Sequence, residues 1–399
     1  MKESKIAQLT MLGREYNYNL GANLQAYALH TLLLKSGFNV EILDYSRWSR
    51  SFARSVSASI KSKGIKYVVN RALPWLKRRF FEKKERLFSR RTYPVPVETS
   101  DACAHIHRIE NIKKFREQFL RFSPRKYCEL ADFKKIKNSY DAYIVGSDLV
   151  WSPKCNREEH LSVYLLSFVG EGKLKISYAA SVGEKIPEWA QPLFRRYIPK
   201  FHFLSVREKE SARAIEHCTR IRPEVVLDPT ALLSDEEWMS IAKKPVNFVE
   251  PPYILVYDLY RSNEIKPVVE EIGKRKTLNL VKYSYSKNCF SFYTYGPQEF
   301  LWLIKNAEFV VSSSFHGTLL AVIFNKPFYA VDPTPFAPRS RILDFLDDLG
   351  LRNRFIVNPK DLLNLSFEDT INWDRVNELL EDKKRYSLNF LRKALEALK

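Results

Sequence analysis

The chain has 399 residues, of which 45% are hydrophobic and 28% are charged. This composition excludes an intrinsically disordered protein, which holds far fewer apolar residues, and the length predicts two or three domains. The formal net charge of +19 favours an anionic partner such as nucleic acid, an anionic membrane surface or a phosphorylated substrate. None of the short nucleic-acid-binding signatures is present, so we do not expect a nucleic acid as partner.

Cysteine usage and hydropathy bear on the compartment. The five cysteines are widely spaced and form no Cys-x-x-Cys pair, so neither a disulfide framework nor a zinc site is expected. The start of the chain lacks the apolar stretch of a signal peptide, and no run reaches the roughly 18 apolar residues of a membrane span. These features predict a cytoplasmic protein without a bound metal.

The first part of the chain predicts the beginning of an α/β layer. Residues 6–12 are typical of a short strand, and a polar loop follows them. Leucines and alanines then recur at helical spacing up to Gly37, and residues 38–45 predict a second strand. Strand, loop, helix and strand in this order indicate a Rossmann-like unit, and we expect the polar segment 17–25 to line a cleft.

The composition changes sharply between residues 50 and 91. This stretch has fourteen Lys or Arg residues against two acidic ones, with several aromatic residues among them. We predict a basic helical insertion over 50–127. One hypothesis is that the insertion rests on the anionic inner face of the plasma membrane. A solvated helix or a dimer contact is the alternative.

Further strands are predicted on both sides of a proline-bearing linker. Before the linker, the predicted strands are 141–145, 174–179, 203–206 and 225–227. After it, they are 253–257, 278–283, 308–311 and 327–331. We therefore predict an N-terminal Rossmann-like domain over 1–242, a C-terminal one over 253–360 and C-terminal helices over 361–399, with the two domains facing a cleft.

The segment SSSFHGT has the pattern of a ligand site. It follows an apolar strand and opens an apolar helix, where unpaired backbone N–H groups and the helix dipole attract anions. We predict that Gly317 lets a ligand approach the backbone and that His316 binds phosphate or donates a proton. A serine-rich helix cap with a structural histidine is the alternative. The hydroxyls predicted to cradle an anion belong to Ser312, Ser313 and Ser314.

Polar residues also follow other predicted strands. Asp148 is a candidate base or hydroxyl-orienting group, and Trp151 is a candidate platform for a sugar ring. Arg207 is placed to grip a carboxylate or phosphate. A core tryptophan and a surface ion pair of the arginine with a neighbouring glutamate are the alternatives. Asp228 is interpreted as a turn cap.

Neither the Gly-x-Gly-x-x-Gly fingerprint nor a P-loop is present, which disfavours a dinucleotide cofactor or a P-loop ATPase. Several segments together resemble the polysaccharide pyruvyl transferase family, in the family's order and from Asn19 to about Arg354. They are NLGANLQAYALHTLLLKSGFNVEILDY, DAYIVGSDLVW, SVREKES, VVLDPTALL and GPQEFLWLIKNAEFVVSSSFHGTLLAVIFNKPF. The resemblance implies a GT-B-like fold, phosphoenolpyruvate as donor, and a sugar diol as acceptor in capsule, exopolysaccharide or cell-wall glycan synthesis. It implies no cofactor beyond this co-substrate.

The resemblance also assigns donor residues by position. His316 matches the family's histidine before glycine, which handles the donor. Arg207 matches the arginine of the Ser/Ala-Val-Arg-Asp/Glu motif, a ligand of the donor carboxylate or phosphate. Some members have Arg-Leu before the histidine, whereas this chain has Ser314 and Phe315. We expect Arg339 or Arg341 to replace the missing arginine.

The acceptor side is predicted to comprise Asn19, Asn23, Gln25 and Trp151. The expected partners are phosphoenolpyruvate and a glycan or lipid-linked sugar, while the oligomeric state, the acceptor sugar and the ketal stereochemistry stay open. A nucleotide-sugar glycosyltransferase on the same fold is the first alternative. A non-enzymatic scaffold or nucleic-acid binder, explained by charge alone, is the second.

Overall fold

The structure, a computed structural model, describes most of the chain outside the basic stretch. The described residues are 4–46, 101–183, 185–246, 251–259, 265–276, 279–282, 290–291, 294–333, 337–358 and 370–398. Residues 50–91 lie outside these ranges, so the helical and membrane-contact predictions for them stay predictions. Among the residues described, no helix combines the length and the apolar character needed to cross a membrane.

The N-terminal half is built on a seven-stranded sheet. Its strands are β1 (Lys5–Leu9), β2 (Asn39–Tyr45), β3 (Phe122–Tyr127), β4 (Ala142–Val145), β5 (Leu174–Ala180), β6 (Phe203–Val206) and β7 (Glu224–Val225). They are parallel and lie in the order β3-β2-β1-β4-β5-β6-β7. Residues 122–127, assigned from the sequence to the end of the insertion, thus form an edge strand of this sheet. The order reverses between β1 and β4, which opens a crevice beyond their carboxyl ends.

Helices connect these strands, and the apolar spacing of the sequence predicts the first of them. They are α1 (Leu20–Lys35), α2 (Asp101–Phe119), α3 (Leu130–Lys134), α4 (Glu158–Tyr164), α5 (Gln191–Tyr197), α6 (Lys209–Thr219) and α7 (Asp235–Met239). Helix α1 begins after Asn19, whose side chain accepts a hydrogen bond from the Ala22 N–H, and its chain reverses at Gly37, where φ is +85°. Its first eleven residues are buried, so α1 is enclosed by the core rather than lying on the surface.

The C-terminal half repeats the pattern with a six-stranded parallel sheet. Its strands are β8 (Tyr253–Tyr257), β9 (Asn279–Lys282), β10 (Phe290–Ser291), β11 (Phe309–Ser312), β12 (Phe328–Val331) and β13 (Phe355–Ile356), in the order β10-β9-β8-β11-β12-β13. Its helices are α8 (Ile265–Lys276), α9 (Pro297–Asn306), α10 (Phe315–Ile323) and α11 (Ser340–Asp348). The order reverses between β8 and β11, so a second crevice opens there.

The last helix, α12 (Trp373–Glu396), returns to the N-terminal half. Its Phe390 and Leu391 are buried in one cluster with Ile6 and Leu29 of the first sheet and of α1. In addition, the Ser387 hydroxyl accepts a hydrogen bond from the Leu227 N–H at 2.9 Å. The chain therefore crosses between the halves twice.

A continuous apolar core joins the two halves. One buried cluster includes Leu24 and Tyr27 of α1, Trp238 of α7, and Phe300 and Leu320 of the C-terminal helices. The predicted fold class is confirmed: the protein is α/β and GT-B-like, with two parallel, Rossmann-like sheets whose helices pack against each other.

Candidate active site

The candidate site lies where strand ends of both sheets meet. Asp148, Arg207 and Asp228 follow β4, β6 and β7, and His316 is the second residue of α10. The carboxyl ends of parallel strands lie on one edge of a sheet, which brings the first three together. His316 joins them from the other half, because its Nε2 atom is 3.6 Å from Oδ2 of Asp228. Both halves therefore contribute to one constellation of charged groups.

Arg207 is held at the centre of this constellation with its side chain 2% exposed. Its Nη1 donates a hydrogen bond to Oδ2 of Asp228 at 2.8 Å, and its Nη2 is 3.9 Å from Oδ1 of Asp148. Burial alone would lower the pKa of Arg207, but Asp228, Glu208 and Asp148 raise it. The guanidinium also lies 4.5 Å from the ring centroid of Phe315. These contacts fix a fully charged guanidinium in a dry environment.

Two donors of Arg207 face carboxylates without forming hydrogen bonds to them. Its Nε lies 3.5 Å from Oε2 of the buried Glu208, and its Nη2 lies 3.9 Å from Oδ1 of Asp148. Among the residues that the structure describes, neither atom makes a hydrogen bond, although buried polar groups are normally satisfied. Both donors therefore keep unused hydrogen-bonding capacity, and the role of Arg207 as a ligand of a carboxylate or phosphate stays a prediction.

Asp228 is the carboxylate on which the other groups converge. Its Oδ2 accepts hydrogen bonds from Arg207 and from the Ser147 hydroxyl, both at 2.8 Å, and its Oδ1 accepts one from the Thr230 N–H at 3.0 Å. Burial opposes ionisation, but His316, Arg207 and the Thr230 N–H outweigh it and hold the pKa of Asp228 well below its usual value. The sequence interpretation of Asp228 as a turn cap covers only the contact to Thr230 and misses the others.

His316 is buried in the first turn of α10, against the first turn of α1. A Cβ atom added to Gly21 would lie 2.3 Å from its Nδ1, so the imidazole packs directly on the glycine backbone. The Nε2 atom faces Asp228 and makes no hydrogen bond with the described residues. The ring is thus held between the two halves with one nitrogen toward a carboxylate and the other against α1.

The serines before His316 lie together, but two of them are engaged within their own half. Ser313 donates a hydrogen bond to Oδ1 of Asp258 at 3.0 Å. The Ser312 hydroxyl makes two hydrogen bonds to the backbone of Ser314: it accepts one from the N–H at 3.0 Å and donates one to the carbonyl at 3.1 Å. The prediction that the Ser312 and Ser313 hydroxyls cradle an anion is therefore corrected, since they shape the loop instead. Ser314 is the N-cap of α10, and its side chain does not cap the helix.

Glycine is needed at position 317 for close packing within the protein, and not for ligand access as predicted. A Cβ atom at this position would lie 2.4 Å from Oγ of Ser312 and 2.7 Å from the ring of Tyr257. The missing side chain lets α10 pack closely on the ends of β8 and β11. The expectation that Gly317 makes room for a ligand is corrected accordingly.

The structure separates the two candidate replacement arginines. Arg341 is buried on α11, with Nη1 4.0 Å from Oδ1 of Asp148 and with an Nε that makes no hydrogen bond to any described residue. Arg339 has a side chain that is 52% exposed and pairs with Asp332 at 3.2 Å. Only Arg341 lies at the site. Arg207 and Arg341 approach the same oxygen of Asp148 from opposite halves.

Trp151 is a core residue, and its prediction as a sugar platform is wrong. Its side chain is fully buried, and its Nε1 donates a hydrogen bond to the Tyr164 carbonyl at 3.0 Å. The indole packs edge-on against Phe194 and Phe201. An enclosed ring of this kind cannot present a face to an acceptor.

The three polar residues predicted to contact the acceptor hold the loops around the site. Asn19 caps α1, and Asn23 donates to its carbonyl while accepting a hydrogen bond from Nε of Arg116 at 2.7 Å. Gln25 donates to Oγ1 of Thr10 at 2.8 Å and accepts from the backbone N–H that follows Gly146 at 3.1 Å. The amides of Asn23 and Gln25 are buried and used internally, which corrects their assignment as acceptor ligands.

A cavity of about 400 Å³ opens beside these groups. Of the charged groups of the site, Arg207, Asp228 and Arg341 line it, whereas Asp148 and His316 do not. Residues of α11 and α12, such as Asp348 and Lys383, complete the lining. Its size is in the range of small-molecule sites. Within the ranges described, no cluster of three or more His, Cys, Asp or Glu residues is arranged to hold a metal.

Comparison with known proteins agrees with the resemblance seen in the sequence. In a search of curated proteins nothing matches the chain. Among solved structures, the UDP-GlcNAc 2-epimerase of Methanocaldococcus jannaschii in complex with UDP-GlcNAc and UDP is 14% identical, with 94% of this chain and 98% of that chain covered and a TM-score of 0.46. The Rickettsia bellii UDP-N-acetylglucosamine 2-epimerase is 10% identical, with 100% and 98% covered and a TM-score of 0.49.

A UDP-glucosyltransferase from Polygonum tinctorium is 9% identical, with 100% and 99% covered and a TM-score of 0.46. The family profile described as "Polysaccharide pyruvyl transferase" matches residues 19–335. This match spans both sheets and includes Asp148, Arg207, Asp228 and His316, and it shows that the chain belongs to the polysaccharide pyruvyl transferase family.

Proposed function

We propose that the protein transfers pyruvate from phosphoenolpyruvate to two hydroxyls of a sugar, forming a cyclic ketal. One observation carries the proposal. Arg207 and Arg341 come from opposite halves, are both buried, and both have N–H donors that make no hydrogen bond to the described residues. Phosphoenolpyruvate has a phosphate and a carboxylate on a three-carbon skeleton. Two guanidiniums flanking one cavity match this pair of anionic groups.

The reaction needs an acid at the methylene carbon of the donor. Protonation of C3 makes C2 electrophilic, one sugar hydroxyl forms a bond to C2, and the bond from C2 to the phosphate oxygen breaks. A second hydroxyl then forms the other C–O bond of the ketal. One hydroxyl proton replaces the one given to C3, and the other leaves with phosphate. Ketal, phosphate and a regenerated enzyme are the products.

The residues divide these tasks by position. His316 is the candidate acid, because its ring is fixed between the halves beside the cationic groups. Arg207 and Arg341 bind the donor's anionic groups and stabilise the departing phosphate. Asp148 lies within 4.0 Å of both guanidiniums and is the candidate base or hydroxyl-orienting group. This scheme calls for no metal.

The acceptor in the proposal is a sugar of a surface or capsular polysaccharide, or its lipid-linked precursor. The cavity is also lined by residues of α11 and α12, whose carboxylates, such as those of Asp344 and Asp382, are of the kind that accept hydrogen bonds from sugar hydroxyls. A cytoplasmic location with contact to the inner membrane face belongs to the same proposal, because lipid-linked glycan precursors are anionic and membrane-bound.

The proposal is tested by phosphate release. Purified protein is incubated with phosphoenolpyruvate and a panel of lipid-linked or nitrophenyl sugars, and product mass is measured alongside phosphate. We expect acceptor-dependent release with a mass gain of one pyruvate ketal. His316→Ala is expected to lose about 10²–10⁴ in kcat, the usual contribution of a general acid. Retention of full kcat in that variant contradicts the acid assignment.

A binding comparison separates the proposal from a nucleotide-sugar transferase. Thermal shifts are measured with phosphoenolpyruvate and with UDP-, GDP- and CMP-sugars. Stabilisation by phosphoenolpyruvate alone supports the proposal, and stabilisation by a nucleotide sugar alone refutes it. Arg207→Met is expected to remove the response to phosphoenolpyruvate, whereas Arg339→Met, which changes an exposed arginine, is expected to keep it.

A further inference from the structure

The proposed mechanism assigns no role to Asp228, although Arg207, Ser147, Thr230 and His316 all converge on its carboxylate. Its side chain is fully buried, and one oxygen, Oδ2, serves three groups at once. It accepts hydrogen bonds from Nη1 of Arg207 and the hydroxyl of Ser147 at 2.8 Å each, and it lies 3.6 Å from Nε2 of His316. The predicted donor ligand and the predicted acid thus share one carboxylate oxygen.

Asp228 is itself fixed by the N-terminal sheet. The Ser147 hydroxyl also lies 2.9 Å from the carbonyl of Ala179 on β5, and the Ser147 N–H donates to Oε1 of Gln25 at 3.1 Å. Gln25 in turn donates to Oγ1 of Thr10 at the end of β1. This chain of hydrogen bonds ties the carboxylate to β1, α1, β4 and β5 together. Its position is therefore set by the scaffold and not by a flexible loop.

The arrangement fixes one nitrogen of the imidazole. With Nε2 directed at the Asp228 carboxylate, Nδ1 is the nitrogen that faces the first turn of α1 at Gly21. The same carboxylate holds Nη1 of the Arg207 guanidinium, while Nε and Nη2 face Glu208 at 3.5 Å and Asp148 at 3.9 Å without forming hydrogen bonds.

We propose that Asp228 is the positioning residue of the site: its single oxygen Oδ2 orients the imidazole of His316 and the guanidinium of Arg207 relative to each other. This inference rests on the proposed function for the roles of those two residues. Asp228 acts through them, since its side chain is fully buried and its Oδ2 is occupied by Arg207 and Ser147.

The test uses Asp228→Asn, which keeps the shape of the side chain and removes its charge. Secondary structure by circular dichroism and the melting temperature establish that the variant folds. We expect kcat to fall by about 10²–10⁴, in the range for loss of an acid's proper orientation and charge.

A control and a milder variant sharpen the result. Asp332→Asn removes the carboxylate of another Asp–Arg pair, one with an exposed arginine, and is expected to leave kcat unchanged. Ser147→Ala removes one hydrogen bond to the Asp228 carboxylate, and we expect about a tenfold loss of kcat. If Asp228→Asn does not fold, Ser147→Ala carries the test, and wild-type kinetics in it overturn the proposal.

A readout independent of turnover separates this proposal from the proposed function. Nitrogen-15 spectra of histidine-labelled protein are recorded, with the His316 signals identified by their loss in His316→Ala. We expect the Nε2 signal to change its chemical shift in Asp228→Asn, because the carboxylate that this nitrogen faces is replaced. An unchanged signal together with unchanged kinetics refutes the positioning role. Absence of phosphate release from wild-type protein, with the changed signal present, refutes only the proposed reaction.

Discussion

Replacing Gly21 by alanine tests whether the imidazole of His316 is held against α1. Gly21 is the second residue of α1, in an ordinary helical conformation, so alanine there meets no backbone strain. In a helix interior the change from glycine to alanine normally stabilises by roughly 0.5–1 kcal/mol. Here the new Cβ would lie 2.3 Å from Nδ1 and 2.5 Å from Cγ of the imidazole. The substitution therefore has two opposing effects on stability: a gain from helix propensity and a loss from the clash.

The clash is the larger effect. Carbon and nitrogen atoms in ordinary van der Waals contact are about 3.5 Å apart, so the ring or the helix must move by more than about 1 Å. Overpacking of this kind costs about 1–3 kcal/mol, which exceeds the propensity gain. We expect a net loss of about 1–2 kcal/mol in stability. Because a 1 Å misplacement of a catalytic group can cost about 10²-fold, we expect kcat to fall by roughly that factor.

The assay is a double-mutant cycle on melting temperature, with kcat measured in parallel. In a His316→Ala background the clashing ring is absent, and Gly21→Ala should then be neutral or stabilising. Gly37→Ala is the matched control: its φ of +85° strains alanine, yet nothing lies within 4 Å of the new Cβ. It should lose stability without losing kcat. Equal effects of Gly21→Ala in both backgrounds refute the placement of the ring.

Three further predictions follow from the site. The folded protein holds the pKa of Asp228 far below its unfolded value of about 3.9, so the ionised carboxylate stabilises the fold above that pH and the stabilisation is lost as the pH falls. Urea midpoints measured between about pH 5 and pH 2 should therefore drop more steeply for wild type than for Asp228→Asn. Parallel curves for the two proteins contradict this prediction. Trp151→Ala should lower the free energy of unfolding in urea by about 3–5 kcal/mol, because it removes a fully buried side chain. Trp151→Phe should leave the KM for the acceptor unchanged. A raised KM in the folded Phe variant would support the prediction that Trp151 contacts the sugar. Arg341→Met should raise the KM for phosphoenolpyruvate by about tenfold or more, with Arg339→Met unchanged, and equal effects from the two arginines contradict the assignment.

The sequence predicts the architecture well because parallel sheets leave a strong signal. Strands buried on both faces are short apolar runs, such as 142–145 and 253–257, and each is followed by polar residues at its carboxyl end. Since these ends share one edge within a sheet, the sequence is sufficient to group Asp148 with Arg207, and their convergence depends only on strand direction. His316 follows a strand of the second sheet, so it joins them only through the packing of the two halves.

The direction and partners of a side chain are harder to predict. Trp151 follows a strand end just as Asp148 does, but a 3-10 turn carries its ring back into the core. Asn23 and Gln25 lie in a polar segment that the sequence assigns to a loop, whereas both belong to a buried helix. In each case the decisive neighbours come from other elements: Arg116 for the asparagine, and Ser147 for the glutamine.

Asp228 is the clearest case of a side chain whose partners cannot be predicted from the local sequence. Its local sequence, Asp-Pro-Thr, is fully explained by a turn cap, and the structure contains that cap. Its other oxygen meets the hydroxyl of Ser147, 81 residues away along the chain, and the imidazole of His316 in the other half. No local pattern records such contacts. The close succession of a strand-end arginine and a strand-end aspartate on β6 and β7 is the one signal that would have paired Asp228 with Arg207.

The distribution of charges between the halves bears on how the site works. The first half supplies Arg207 and its carboxylates, and the second half supplies His316 and Arg341. Helix α11, which carries Arg341, is attached to the first half beside the cavity by polar contacts: Asp344 accepts from the Lys209 N–H at 2.8 Å, and Asp348 pairs with the side chains of Lys209 and of Lys383 on α12. Exposed charge pairs contribute little individually, and Ile342, Phe345 and Leu346 of α11 are also buried in the apolar core that joins the halves. This core fixes Arg341 relative to Arg207, so an anion bound between the two arginines would meet both guanidiniums without a rearrangement of the halves.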